Sequence, residues 1–230
     1  MAAFEDEFVE TGADRVRLSD HTPDVGAGWD WTGTANFSAV SVQPLSAGAW
    51  SYNGTGAGDW EAGYHAILPA LSSADQQAWG KRVSTQDLNE VYAALAVRMI
   101  DEDNFYGVRV VGGGAAGRRL TKVVAGSVSD LVTSQGVSGE WLRVTAEGST
   151  LAFWRAADGA EPTDPGEDTN WTQIGVDQTG HTELQSETGC GIATTVTSGT
   201  QLMSSFRADV YPLAGGGGGT ILAHMMHYLS

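Results

Sequence analysis

Residues 91–158 constrain the fold more than any other part of this chain. They open with VYAALAVRMIDEDNFYGVRVVGGG, continue through GRRLTKVVAG and close with GEWLRVTAEGSTLAFWRAADG. Apolar runs with partial two-residue alternation are divided by turn-rich breaks, the pattern of antiparallel strands joined by short hairpins. The breaks Asp101-Glu102-Asp103-Asn104, Gly112-Gly113-Gly114 and Glu147-Gly148-Ser149 supply residues that tolerate positive φ or cap a turn with a side-chain oxygen. The remaining segments are expected to pack against this meander.

Shorter strands are predicted over residues 4–9, 35–43, 49–53, 62–68, 171–176, 191–197 and 205–211. Residues 71–88 read differently. Ser72 or Ser73 can cap a helix, with Asp75 or Gln76 reaching back, so one or two helical turns are predicted there. About a dozen strands at this spacing fit a sandwich or jelly roll, and no internal repeat points to a propeller or solenoid. A sandwich of this size commonly forms one domain. The expected architecture is all-β: a two-sheet antiparallel β-sandwich over residues 1–212, with a short C-terminal extension.

That extension has two parts. Residues 213–219 hold five consecutive glycines and read as a flexible linker. Residues 220–230 contain no Asp, Glu, Lys or Arg, although the chain as a whole carries a net charge of −16. On helical spacing Leu222, Met225, Met226 and Leu229 share a face. With Ile221 and Tyr228 they are expected to dock on a neighbouring chain, the other reading being that the peptide folds back on its own domain.

The negative charge opposes contact with nucleic acid or anionic membranes. No apolar run approaches the ~20 residues of a membrane helix, and residues 1–6 lack the features of a signal peptide, so synthesis in a cytoplasm without membrane insertion is expected. Cys190 is the one cysteine, which excludes a disulfide framework within the chain. In its small-residue surroundings it reads as a buried apolar group.

The order of features carries a resemblance. A Phe-Glu-Asp-Glu-Phe run at 4–8 is followed by HTPDVGAGW at 21–29, NFYGVRVV at 104–111, WLRVTAEGSTLAFWRAADG at 141–159, WTQIGV at 171–176 and FRADVY at 206–211. Over residues 4–212 the chain resembles the concanavalin A-like lectin/glucanase jelly roll, in the laminin-G-like form found in phage structural proteins and surface proteins. That fold serves lectins, hydrolases and scaffolds alike. The family's glucanases carry Glu-x-Asp-x-x-Glu on a strand. The nearest run here, Glu5-Asp6-Glu7, has the wrong spacing, so no enzyme activity is expected.

The resemblance also implies calcium as an optional ion, no cofactor being required. Asp20 and Asp24 lie in one loop and Asp101, Asp103 and Asn104 in another; solvated turn acids are the competing reading. Asp164, Glu167 and Asp168 form a third acidic loop. His224 and His227 lack further ligands nearby for zinc. Sugar stacking needs exposed rings, and Trp29, Trp31, Trp50 and Trp60, with Trp79, fall in or near loops. Trp141 and Trp154 fall within strands and are expected in the core.

Together these readings favour a non-enzymatic structural protein of a phage virion, a capsid decoration or tail accessory protein anchored partly by residues 220–230. Its partners would be other virion proteins and further copies of itself as a homo-oligomer. The alternative is a carbohydrate-binding, lectin-like module for host or surface adhesion.

Overall fold

The hairpins expected within residues 91–158 are present, but two sheets share them. The structure, a computed structural model, describes residues 4–6, 16–17, 23–31, 40–43, 49–52, 61–68, 70–82, 92–101, 103–111, 117–136, 139–157, 159, 161–162, 168–196 and 202–211. The strands are β1 Phe4–Asp6, β2 Val16–Arg17, β3 Gly28–Trp31, β4 Val40–Gln43, β5 Ala49–Tyr52, β6 Glu61–Leu68, β7 Gln76–Arg82 and β8 Tyr92–Asp101. They continue with β9 Asn104–Val111, β10 Gly117–Val124, β11 Ser127–Gln135, β12 Trp141–Glu147, β13 Thr150–Ala156, β14 Thr172–Gln173, β15 Cys190–Val196 and β16 Leu202–Val210. One 3-10 turn, Asp168–Asn170, precedes β14. No helix among the described residues is long and apolar enough to cross a membrane.

The first sheet has nine strands in the order β14-β13-β12-β7-β16-β5-β4-β2, with β1 also paired to β16. The second has seven, β11-β10-β9-β8-β15-β6-β3. Each pairing is antiparallel, so the all-β, two-sheet antiparallel sandwich read from the sequence is the observed fold. The meander parts after β11: β8 to β11 stay in the seven-stranded sheet, while β12 and β13 cross to the nine-stranded one.

Alternation explains the core. Leu95 and Val97 of β8, Tyr106 and Val108 of β9 and Leu120 of β10 meet Leu142 and Val144 of β12, Phe153 of β13, and Phe206 and Ala208 of β16 between the sheets. Phe4 closes one end against Phe206, ring edge to face at 6.0 Å. Each large apolar side chain buried this way stabilises the fold by about 1.5–3 kcal/mol. Cys190 lies in the same core, its thiol donating to Ala96 O, and burial pushes its pKa up.

The helix expected near residues 72–79 is absent. Gln76–Arg82 is a central strand between β12 and β16. Ser73 Oγ accepts from the Asp75 N–H and closes a turn instead of capping a helix. The glutamines that suit a helix are buried here, and their amides are satisfied. Gln76 Nε2 donates to Ser73 O and Glu187 O, and its Oε1 accepts the Arg98 N–H. Arg98 sits at a bulge of β8 with φ +51, fully buried, its Nε on Ala74 O and its Nη2 on Asp75 Oδ1. Burial lowers its pKa, and Asp75 opposes that shift.

At another position the seven-stranded sheet holds the segment after β14. Tyr106 Oη donates to Glu183 and accepts from the Leu184 N–H, while Lys122 Nζ donates to Glu183 at 2.7 Å. The Lys122 bond holds the Glu183 carboxyl at about 2, and burial with the Glu183 bond pushes Tyr106 up to about 12. A carboxyl with a lowered folded pKa contributes stability above its unfolded value, near 4.5, and loses it as pH falls towards 2. Urea unfolding at pH 7 and at about pH 3 should therefore show an acid loss that Glu183→Gln reduces. An equal loss in both proteins would remove this ion pair as its source.

Candidate functional site

The side chains that alternate with the core residues of the nine-stranded sheet gather on its outer face. Register sets them in rows. Trp79 of β7 faces Arg143 of β12, which faces Trp154 of β13; on its other side Trp79 faces Arg207 of β16. Above and below, Gln77 faces Thr145, and Lys81 faces Trp141. Trp79, Trp141 and Trp171 form a buried aromatic cluster with the half-buried Trp154 and Ala156 packed against it.

Residues after β13 close over this face through hydrogen bonds from the sheet. Gly159 O accepts from Lys81 Nζ at 2.8 Å and from Trp141 Nε1 at 3.3 Å. Glu161 accepts from Trp79 Nε1 at 2.6 Å and from Arg207 Nη2 at 3.2 Å. Asp168 accepts from Arg143 Nη1 at 2.8 Å and from Tyr211 Oη at 2.9 Å.

Arg143 is the centre of the arrangement. Its side chain is wholly buried, with Nε donating to Gln77 Oε1 at 3.0 Å. The guanidinium carbon stands 5.3 Å from the Tyr211 ring centroid, 5.5 Å from Trp171 and 5.6 Å from Trp154. Three π-faces and a carboxylate offset the cost of removing that charge from water. Burial, followed by the Asp168 bond, pushes the Tyr211 hydroxyl pKa up and keeps its proton on oxygen. The Asp168 side chain remains 42% exposed. Tyr211 reaches it directly and Trp154 stands over the same guanidinium, so two half-buried rings and one fixed carboxylate are arranged about Arg143. Rings that stack on the apolar face of a sugar, beside an oxygen that accepts from its hydroxyls, are what saccharide binding requires.

Of Trp29, Trp31, Trp50 and Trp60, singled out for stacking, three lie on described strands. Trp29 and Trp31 lie on β3, at an edge of the seven-stranded sheet, and Trp50 lies on β5 in the other sheet. Trp60 lies outside the described residues, as do Asp20 and the docking set Ile221, Leu222, Met225, Met226, Tyr228 and Leu229. Asp24 is exposed. Asp101, Asp103 and Asn104 form the β8–β9 turn, where Asp101 Oδ1 accepts from the Asp103 N–H and from Asn104 Nδ2. Asn104 Oδ1 accepts from the Ala125 N–H. Among the described residues no group of three or more His, Cys, Asp or Glu is placed to hold a metal ion. Trp141 is buried as expected, but on the outer face and not between the sheets. Arg143 and Tyr211 escaped the sequence reading, and Asp168 entered it only as one acid of a loop, although Trp141-Leu142-Arg143-Val144-Thr145 already alternates large or polar residues with apolar ones.

No protein-family model matches the chain, and no curated protein matches it in sequence. Solved structures do match. The GH43 BlXynB protein from Bacillus licheniformis aligns over 90% of this chain and 39% of its own, at TM-score 0.61 and 13% identity. The xylan beta-1,4-xylosidase from Bacillus halodurans C-125 aligns over 89% and 38%, at TM-score 0.54 and 13% identity. The chain thus spans about two fifths of the length of these proteins. The Ca2+-bound exoplasmic/lumenal domain of VIP36 aligns over 84% of this chain and 88% of its own, at TM-score 0.54 and 13% identity. At such identities the likeness concerns fold, the lectin-like β-sandwich. It corrects one expectation: the sequence reading excluded an enzyme, yet the same sandwich matches glycoside hydrolases over nine tenths of its length. The viral, capsid and tail expectations draw no support from these matches.

Proposed function

We propose that the chain is a carbohydrate-binding module whose contact surface is the Trp154, Tyr211 and Asp168 patch on the outer face of the nine-stranded sheet. The carrying observation is the two half-buried rings over Arg143, which together with Tyr211 holds a partly exposed carboxylate in place. The fold supports the reading, since the VIP36 domain is also known with Ca2+ and Man3GlcNAc bound, and the likeness to a xylan beta-1,4-xylosidase suggests xylan as a second ligand source. A net charge of −16 favours neutral sugars over sulfated or uronate-rich ones.

Isothermal titration with xylo-oligosaccharides and with mannose oligosaccharides tests the proposal. Asp168→Asn should weaken binding by about tenfold, the loss of one charge-assisted hydrogen bond. Trp154→Ala should weaken it at least as much, with circular dichroism reporting the fold. Absence of binding to either series, or unchanged affinity in both variants, would overturn it. Calcium is part of the proposal through the VIP36 likeness, and titration in a chelator separates an ion-dependent site from the patch alone.

A further inference from the structure

The row of side chains across the outer face of the nine-stranded sheet does not stop at Trp154. Beyond β13 lies β14, where Gln173 is the register partner of Trp154. Directly opposed residues of an antiparallel pair share a face, with Cβ atoms about 4.5–5.5 Å apart. Counted from β16, the row reads Arg207, Trp79, Arg143, Trp154 and Gln173. Trp154 therefore has the Arg143 guanidinium on one side of it in the row and an amide on the other. Its Nε1 donates to Thr145 Oγ1 at 3.2 Å, which ties the indole to β12.

The amide is held in one orientation. Gln173 Nε2 donates to Asp177 Oδ1 at 2.6 Å, and since an ionised carboxylate only accepts, Gln173 Oε1 is the atom turned to other donors. The turn that carries Asp177 is clamped at both ends. The Ile174 N–H donates to Phe153 O at 2.7 Å, and Gln178 and Leu151 exchange backbone bonds at 2.8 and 2.9 Å. Between them Gly175 turns the chain at φ +77, so close to β11 that a Cβ there would stand 2.9 Å from Val132 Cγ1. A surface glutamine ordinarily leaves its amide free to rotate in water. Here a charge-assisted bond engages the donor, the acceptor is presented, and a half-buried indole stands at the same register position.

We infer that Trp154, Gln173 and Asp177 form a second sugar subsite, so that the site takes an oligosaccharide laid across β12, β13 and β14 and not a single sugar ring. The inference rests on the sugar-binding reading above and extends it. From β12 to β14 the sheet spans about 10 Å, wider than one pyranose ring. One unit meets Asp168 and Tyr211 beside Arg143; the next reaches Trp154, and its hydroxyl donates to Gln173 Oε1. Gln173 touches the ligand, while Asp177 is a positioning residue that acts through it. An amide acceptor beside a ring adds no charge, which suits a neutral, hydroxyl-rich ligand.

Isothermal titration of the full chain with xylose and xylotriose, and with mannose and mannotriose, tests it. Parent affinity should rise from the single sugar to the trisaccharide of the series that binds. Gln173→Ala should weaken trisaccharide binding about three- to tenfold, the loss of one neutral hydrogen bond, and leave the single sugar unchanged. Asp177→Ala keeps the amide but releases it, so the trisaccharide should lose a smaller part of that factor; this variant decides should Gln173→Ala fold poorly. Equal parent affinity for both lengths would overturn the inference, as would an equal loss on both lengths in either variant. Trisaccharide affinity unmoved by both substitutions would also sink it. If Asp168→Asn still weakens binding in those cases, the sugar-binding reading stands and only the second subsite falls, whereas no binding of any sugar removes both.

Discussion

Gly189→Ala is expected to lower stability by about 3–4 kcal/mol, the steepest effect of a methyl group added at any described glycine. A Cβ on Gly189 would stand 1.9 Å from the carbonyl oxygen of Met99, where real contacts essentially never fall below 3.0 Å. The obstacle is backbone, so no rotamer relieves it. The Met99 N–H donates to Gly189 O at 2.8 Å and the Leu71 N–H donates to Thr188 O at 3.1 Å, so both flanks are held. Cys190, the next residue, is wholly buried. Moving the chain by about 1 Å would break the Met99 bond and disturb the bulge at which Arg98 holds φ +51. Overpacking of this kind costs about 1–3 kcal/mol and a lost hydrogen bond about 0.5–1.5 kcal/mol. Against a total stability of roughly 5–15 kcal/mol, the melting temperature should fall by about 10 °C. Calorimetry decides the matter, and a fall of about 2 °C or less, under 1 kcal/mol, would mean the contact relaxes without cost.

Arg118→Met is the second large effect. Arg118 of β10 and Glu140, just before β12, form an ion pair buried on both sides that ties one sheet to the other. Removing the arginine leaves a carboxylate in the interior, at a cost of about 3–5 kcal/mol. Replacing both residues, as in Arg118→Met with Glu140→Leu, removes the charge with its partner and should recover most of that loss. A double-mutant cycle by urea unfolding measures the coupling. If the double variant is as unstable as the sum of the singles, the pair acts through packing and the electrostatic account fails.

The hairpins β8–β9, β9–β10 and β12–β13 were legible in the sequence because each is a local object, whereas the polar strand β11, SVSDLVTSQ, fell outside the apolar runs. Two apolar runs and the turn between them stand within about twenty residues of one another. β7 was not legible. Ser72, Ser73, Gln76 and Gln77 have the composition of a capped helix, and the partners that make them acceptable in a central strand lie far away. Gln76 meets Arg98 and Glu187; Gln77 meets Arg143 and Val210. Misreading β7 also hid the candidate site. Trp79 as a helical residue has no row to share with Arg143 and Trp154, and Asp168 then reads as one more solvated loop acid. What local pattern cannot supply is the β12-β7-β16 pairing, which was decided by tertiary fit.

That same strand order governs how the molecule is made. β8 to β11 can zip up in sequence as neighbours, while the nine-stranded sheet must wait. Its centre joins β7 near residue 80 to β16 near residue 206, and β1 at the extreme start of the chain pairs with that same late strand. Closing loops this long before their contacts form slows folding. On a ribosome adding about 5–20 residues per second, the β8 to β11 meander can form early, while β15 must emerge to join β8 to β6 and β16 to join β7 to β5 and β1. During that interval Trp79 lacks Arg207 beside it and Arg143 lacks the Tyr211 ring, so the outer face is finished only when β16 and the residue after it arrive.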